Sequence, residues 1–181
     1  MKSLETVQKT FKVFEVITKI MLILCIIAAS LYALGALCAI VWKNGGHVFS
    51  ILGKPIESFI DGDYQTAYAK LSALTLTTVA NGVLFGFAND YFKHEQVEGT
   101  PFTKKGVHRL KMLGIRCIYI PIIALTLSAI IAKLQGVNDL EITSNYSSLA
   151  LGIGLILVSI VFQYGTELRK SNLDNQIEDN E

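Results

Sequence analysis

The chain has 181 residues, of which 51% are hydrophobic and 17% charged, with a formal net charge of +1 and a mean hydropathy of +0.46. Soluble domains carry about 25% charged residues, so this composition excludes an ordinary soluble domain. The three cysteines lie in apolar stretches without CxxC spacing and the three histidines are far apart, so the sequence predicts no disulfide framework, no metal site and no cofactor.

Four long apolar stretches dominate the pattern. They cover residues 20–42, 71–89, 113–132 and 147–165, and none contains Asp, Glu or Lys. A helix needs about 20 residues to cross a hydrocarbon core of about 30 Å, since each residue rises about 1.5 Å. The sequence therefore predicts an all-α fold, an integral membrane four-helix bundle formed by residues 1–166 and embedded in the lipid bilayer.

Two segments outside these stretches are apolar enough to form interfacial helices. In the leading segment, apolar residues from Leu4 to Ile17 recur at helical spacing. This pattern is typical of an amphipathic helix on the membrane surface and also of a plain extension of the first span, and both alternatives stay open. Residues 43–70 are too apolar for a flexible linker, so we expect one or two short helices, interrupted before Pro55, that cap the bundle.

Lysine and arginine are distributed unevenly among the connecting segments. If the N-terminus is cytoplasmic, twelve of them lie on the cytoplasmic side and four, Lys43, Lys54, Lys70 and Lys133, lie outside. Cytoplasmic loops carry the excess of positive charge in membrane proteins. We therefore predict that both termini lie in the cytoplasm.

Small and polar residues form stripes on two of the predicted spans. Lipid provides no hydrophobic drive between helices, so such residues usually mediate helix packing. We expect the stripes to face the bundle interior and to contact each other, although a substrate path and a homo-oligomer interface are alternatives. The candidate packing residues are Thr75, Thr78, Asn81, Gly82, Gly86, Gly152 and Gln163.

The loop between the second and third spans is the most specific segment. Residues 98–103 are typical of a turn, and Thr103 is a suitable N-cap for a helix that begins at Lys104. The basic residues of that helix are expected to contact anionic lipid or a cytosolic protein, and not nucleic acid directly. The candidate contact residues are Pro101, Phe102, Thr103, Lys104, Lys105, Arg109 and Lys111.

The acidic tail, residues 167–181, carries little apolar surface, so we predict that it is disordered and cytoplasmic.

The sequence Gly99-Thr100-Pro101-Phe102-Thr103, followed by Arg109-Leu110 and Gly114, resembles a family of small bacterial four-span membrane proteins of unknown function. Members share a Gly-x-Pro-Phe-Thr turn before a basic helix that enters the third span. This chain has Gly106 near the position where members often have Asn. The resemblance implies a plasma-membrane protein and no catalytic residue. It also implies a regulatory partner, since the family's genes often lie beside one for a small helix-turn-helix transcription regulator.

Two classes of function follow from these features. The first is a regulatory or interaction protein that tethers or modulates such a cytosolic regulator through its basic loop. The second is a transporter or permease component, or a protein that gives immunity to a membrane-active toxin. An intramembrane enzyme would need clustered acid, base or metal-ligating side chains, so we expect that the chain is not an enzyme.

Overall fold

The computed structural model describes residues 2–43, 64–98, 103–137 and 147–178. They form an all-α arrangement of four helices that pack against their neighbours: α1 (Lys2–Lys43), α2 (Tyr64–Glu98), α3 (Lys104–Leu134) and α4 (Ser147–Glu178). Most of the cap predicted over residues 43–70 lies outside the described residues, as do Pro101 and Phe102, while residues 64–70 of that range belong to α2.

All four helices contain a segment long and apolar enough to span a membrane: Gln8–Ile40, Gln65–Val97, Lys104–Leu134 and Ser148–Leu168. They also expose large apolar side chains, among them Leu31, Leu34, Leu37, Leu157 and Val161. In water such surfaces would aggregate, whereas lipid solvates them. The chain is therefore a multi-pass membrane protein, as predicted, while its orientation stays a prediction.

Residues next to each end of α3 explain why the helix begins and ends there. At its start, the Gly106 N–H donates to Thr103 Oγ1 at 2.9 Å, which confirms Thr103 as the N-cap. At its end, Gly136 has a φ of 75°, and the Val137 N–H donates to the Ala132 carbonyl at 3.0 Å. This left-handed glycine and its bonding pattern form a Schellman motif, which closes the helix.

The structure differs from the sequence predictions at several helix ends. The leading segment continues the first span within α1, which is one of the two alternatives left open, so it is not a separate interfacial helix. The basic residues from Lys104 onward belong to the spanning helix α3. Helix α4 runs to Glu178 and includes most of the tail predicted as disordered. Extending an existing helix avoids the cost of nucleation, so residues that follow an apolar stretch can continue its helix.

The chain divides into two compact units. Unit 1 comprises Met1–Ile20, Leu84–Tyr119 and Tyr146–Glu181. Its buried cluster is built from large side chains, and the members are Tyr91, Leu110 and Leu113, with Phe87, Ala88, Phe92, Leu155 and Phe162 packed against them.

Unit 2 comprises Met21–Val83 and Ile120–Asn145. Its buried side chains are small: Ala36, Ala39, Ala67, Ala69, Ala73, Ala80, Ala124, Ser128 and Ala132. Small side chains let helix backbones approach closely, which is how helices associate without a hydrophobic drive.

Candidate functional site

A buried carboxyl group anchors the start of α3 to α2 within unit 1. The side chain of Glu95 is 0% exposed, and a Cβ added to Gly106 would lie only 2.6 Å from Glu95 Oε1 and 3.0 Å from Oε2. With the carboxyl in this position, only glycine leaves room at residue 106. The contact joins the start of α3 to α2.

Sequence reasoning did not identify Glu95 as a site residue. A signal was present, since Tyr91 and Glu95 are four residues apart and lie on the same face of α2. Tyr91 is also buried, at 6% exposure. Gly106 was a second signal, because a glycine inside a helix lowers stability unless it allows a close approach.

Four basic side chains cover the first two turns of α3. Lys104, Lys105, His108 and Lys111 are all exposed, and we call these four residues the basic surface. A cavity of about 360 Å³ adjoins it. That cavity is lined by Lys104, Val107, His108, Lys111, Gln163, Thr166 and Glu167.

A second cavity, the α2–α3 cavity, lies elsewhere in unit 1 and has a volume of about 280 Å³. Its lining combines aromatic, apolar and charged groups from the two helices: Phe87, Asp90, Tyr91, His108, Arg109, Met112, Leu113 and Arg116. The Arg116 guanidinium carbon lies 3.8 Å from the centroid of the Phe87 ring, which is a cation–π contact. This cavity thus contains an arginine whose position is set by packing.

The structure separates the predicted contact residues. Lys104, Lys105 and Lys111 are exposed, Thr103 is half-buried at the cap, and Arg109 is half-buried. Arg109 lines the α2–α3 cavity and not the cavity beside the basic surface. The arginine therefore belongs to a different feature from the lysines with which the sequence grouped it.

The predicted packing stripe on α2 is half-buried throughout, at Thr75, Thr78, Asn81, Gly82 and Gly86. The Thr75 hydroxyl donates to the Leu71 carbonyl of the same helix at 2.8 Å. A Cβ on Gly82 would lie 3.3 Å from Cys25 Cβ, so this glycine faces α1.

On α4, Gly152 is buried against α3. Gln163 was predicted to face the interior, but it is exposed and its amide donates to Glu167 Oε1 at 3.1 Å. Gly82 and Gly152, from the two stripes, thus face different neighbouring helices.

Two interhelical contacts join pairs of residues that the sequence did not predict. A Cβ on Gly114 would lie 2.9 Å from the Gly152 carbonyl, and one on Gly152 would lie 2.8 Å from the Gly114 carbonyl. In addition, Asn89 Nδ2 donates to the Glu15 carbonyl at 2.7 Å and to Thr18 Oγ1 at 3.2 Å. These contacts join α3 to α4 and α2 to α1.

Within the described part of the chain, no group of three or more His, Cys, Asp or Glu side chains could hold a metal ion. Comparisons with models of protein families, with curated proteins and with solved structures find no match. The resemblance based on the turn before α3 therefore stays a prediction. What the sequence and structure establish together is an all-α, multi-pass membrane protein with a basic surface at the start of its third helix.

Proposed function

We propose that this membrane protein is an interaction protein, not an enzyme, and that its basic surface binds an acidic patch on a cytosolic partner. The observation that carries the proposal is the exposure of Lys104, Lys105, His108 and Lys111 on two consecutive turns of one helix. The three lysines grouped in this way create a local positive potential that steers and orients a partner of opposite charge.

The start of α3 is well suited to presenting these charges. Its backbone is capped by Thr103, and its first turn lies directly against the buried Glu95. A binding surface on a rigid element loses less conformational entropy on association than one on a flexible loop. The neighbouring cavity of about 360 Å³ adds a concave region, next to the cations, into which a partner side chain can insert.

The partner that the proposal names is a small helix-turn-helix transcription regulator, held at the membrane or modulated there. Support comes from the charge of the surface and from the resemblance of the preceding turn. The proposal requires the basic surface to be cytoplasmic, which the distribution of lysine and arginine predicts.

Charge reversal tests the binding surface. We expect Lys105→Glu to weaken association several-fold and the triple change at Lys104, Lys105 and Lys111 to abolish it. Lys133→Glu is the matched control, since Lys133 is an exposed lysine near the other end of the same helix. The measurement is photo-cross-linking in cells from a reactive residue at position 105. Recovery of no transcription regulator, with unchanged target expression after deletion of the gene, would contradict the proposal.

Orientation has its own test. In a variant without the native cysteines, single cysteines at positions 105 and 139 are exposed to a membrane-impermeant thiol reagent in intact cells. We expect labelling at 139 and none at 105. Labelling at 105 alone would place the basic surface outside the cell and remove the cytosolic partner with it.

A second candidate is transport or toxin immunity, and one observation favours it. Unit 2 contains an apolar cavity of about 370 Å³, which suits an apolar ligand or a hydrophobic peptide segment. Its lining residues are Ala33, Ala36, Leu37, Ile40, Tyr68, Ser72, Thr75, Leu76 and Ile131. Solute flux in proteoliposomes, or loss of toxin survival in a deletion strain, would favour this function over partner binding.

A further inference from the structure

The α2–α3 cavity lies where the uncharged parts of two spanning helices end. Residues 71–89 of α2 and 117–132 of α3 contain no charged side chain, and the charged residues that follow or precede them are Asp90 and Arg116. At about 1.5 Å per residue these stretches measure about 28 Å and 24 Å, close to the thickness of a hydrocarbon core. Asp90 and Arg116 both line the cavity, so in a bilayer it would lie where the hydrocarbon core meets the lipid phosphates.

Two arginines on one face of α3 contribute to this cavity. Arg109 and Arg116 are seven residues apart, which is two helical turns, and both are half-buried. A guanidinium group presents several N–H donors in a plane and binds a phosphate through two parallel hydrogen bonds. Since one guanidinium has five donors, an arginine with another interaction still has donors for a phosphate.

Arg116 is positioned before any ligand arrives. The Phe87 ring lies 3.8 Å from its guanidinium carbon and covers one face. Stacking leaves the N–H groups at the edge of the plane available, and it reduces the entropy lost on binding. A cation at this depth also gains from a neighbouring anion, because a charge is costly to place near hydrocarbon.

The side chains that line the cavity favour an anion. Two of them are arginines, Arg109 and Arg116, and one is a carboxylate, Asp90, whose Oδ1 lies 3.3 Å from His94 Nδ1. The carboxyl of Glu95 is not part of this lining and lies against Gly106. The volume of about 280 Å³ is small for a ligand site and matches a headgroup better than a whole ligand. A headgroup that also carries an ammonium group would meet the arginines unfavourably.

We propose that the α2–α3 cavity is a binding site for the phosphate of an anionic phospholipid, held by Arg109 and Arg116. Basic pockets between spanning helices are suited to anionic headgroups. The site is distinct from the basic surface, with which it shares only His108, and it does not depend on the partner proposed above.

The test is native mass spectrometry of the purified full-length protein with added lipid. We expect phosphatidylglycerol to remain bound in preference to phosphatidylcholine, and Arg116→Gln to lower its affinity by about tenfold. Arg116→Lys keeps the charge but loses the two-bond geometry and the stacking, so it should lose most of the same affinity. Lys133→Gln removes an equal charge near the other end of α3, outside the cavity and the basic surface, and should change the affinity less than twofold.

Further measurements keep the outcome clear. Circular dichroism and size-exclusion chromatography show whether each variant is folded. If Arg116→Gln does not fold, Arg116→Lys takes its place in the comparison. Soluble glycerol phosphate at millimolar concentration should not displace the lipid. Equal retention of the two lipids, equal loss in Lys133→Gln and Arg116→Gln, or displacement by glycerol phosphate would each overturn the assignment.

Discussion

Helix α3 contacts its two neighbours in unit 1 through a glycine each time, and the two contacts work differently. Against α2, Gly106 makes room for a side chain, the buried carboxyl of Glu95. Against α4, Gly114 and Gly152 make room for backbone, since each would place a Cβ within 3 Å of the other's carbonyl oxygen. A side chain can rotate away at some cost, whereas a helical carbonyl cannot move without its helix. The α3–α4 contact should therefore tolerate substitution less well than the α2–α3 contact.

The largest expected effect is at the backbone contact. Gly152→Ala would place its Cβ 2.8 Å from the Gly114 carbonyl and 2.7 Å from Ile118 Cγ1. We expect a loss of about 1–3 kcal/mol in the free energy of unfolding, because the two helices must separate. The measurement is unfolding in mixed micelles, followed by circular dichroism.

Gly154→Ala is the matched control for this change. Gly154 lies in the same helix, and a Cβ there would have no other atom within 4 Å. Alanine is the better helix former, so this variant should be neutral or more stable by up to about 1 kcal/mol. If both alanine variants unfold alike, the close approach of Gly114 and Gly152 is not a determinant of stability.

A smaller effect is expected at the side-chain contact. Gly106→Ala should lower the free energy of unfolding by about 1–2 kcal/mol, because its Cβ would overlap the buried Glu95 carboxyl while the gain in helix propensity offsets part of the cost. The same change in a Glu95→Ala background should cost less, since the overlapping atoms are gone.

The double-mutant cycle isolates this interaction from the separate cost of each substitution, and contacting residues couple by about 0.5–3 kcal/mol. Strictly additive effects of the two substitutions would show that the Glu95 carboxyl does not lie against Gly106.

The smallest effect concerns the polar contact between α2 and α1. Asn89→Ala removes the donor to the Glu15 carbonyl and to Thr18 Oγ1. Interhelical hydrogen bonds in membranes contribute about 0.6 kcal/mol on average, so we expect a loss of about that size. Unfolding of the single variants and of the pair with Thr18→Val measures the coupling. Thr126→Val is the control, since the Thr126 hydroxyl donates to Ile122 of its own helix. If Asn89→Ala is as stable as Thr126→Val, the hydrogen bonds from Asn89 do not contribute to stability.

The sequence predicted a helix end correctly where that end depends only on adjacent residues. Thr103 was identified as the cap and Lys104 as the first residue of α3, because an N-cap depends only on the residues next to it. Helix α4 begins at Ser147, as the apolar stretch indicated. Other helix ends were predicted less accurately. The uncharged stretch 71–89 marks where charge is absent, while α2 itself runs from Tyr64 to Glu98.

The same distinction applies to the candidate sites: features formed by adjacent residues could be predicted, and contacts between helices could not. The exposed lysines of α3 could be grouped from the sequence, since they are close together in one helix. The sequence could not predict that Arg109 lines the α2–α3 cavity, because this depends on which neighbouring helix each face of α3 contacts.

The sequence by itself determined that the chain has four helices able to span a membrane and that one of them begins with a capped, basic segment. Composition and adjacent residues are sufficient for both conclusions. Only the tertiary structure decided that Glu95 is buried against Gly106, that Gly114 meets Gly152, and that Arg116 stacks on Phe87. Each of these contacts joins different helices, and the rotation of one helix against another is set by packing among all the side chains between them.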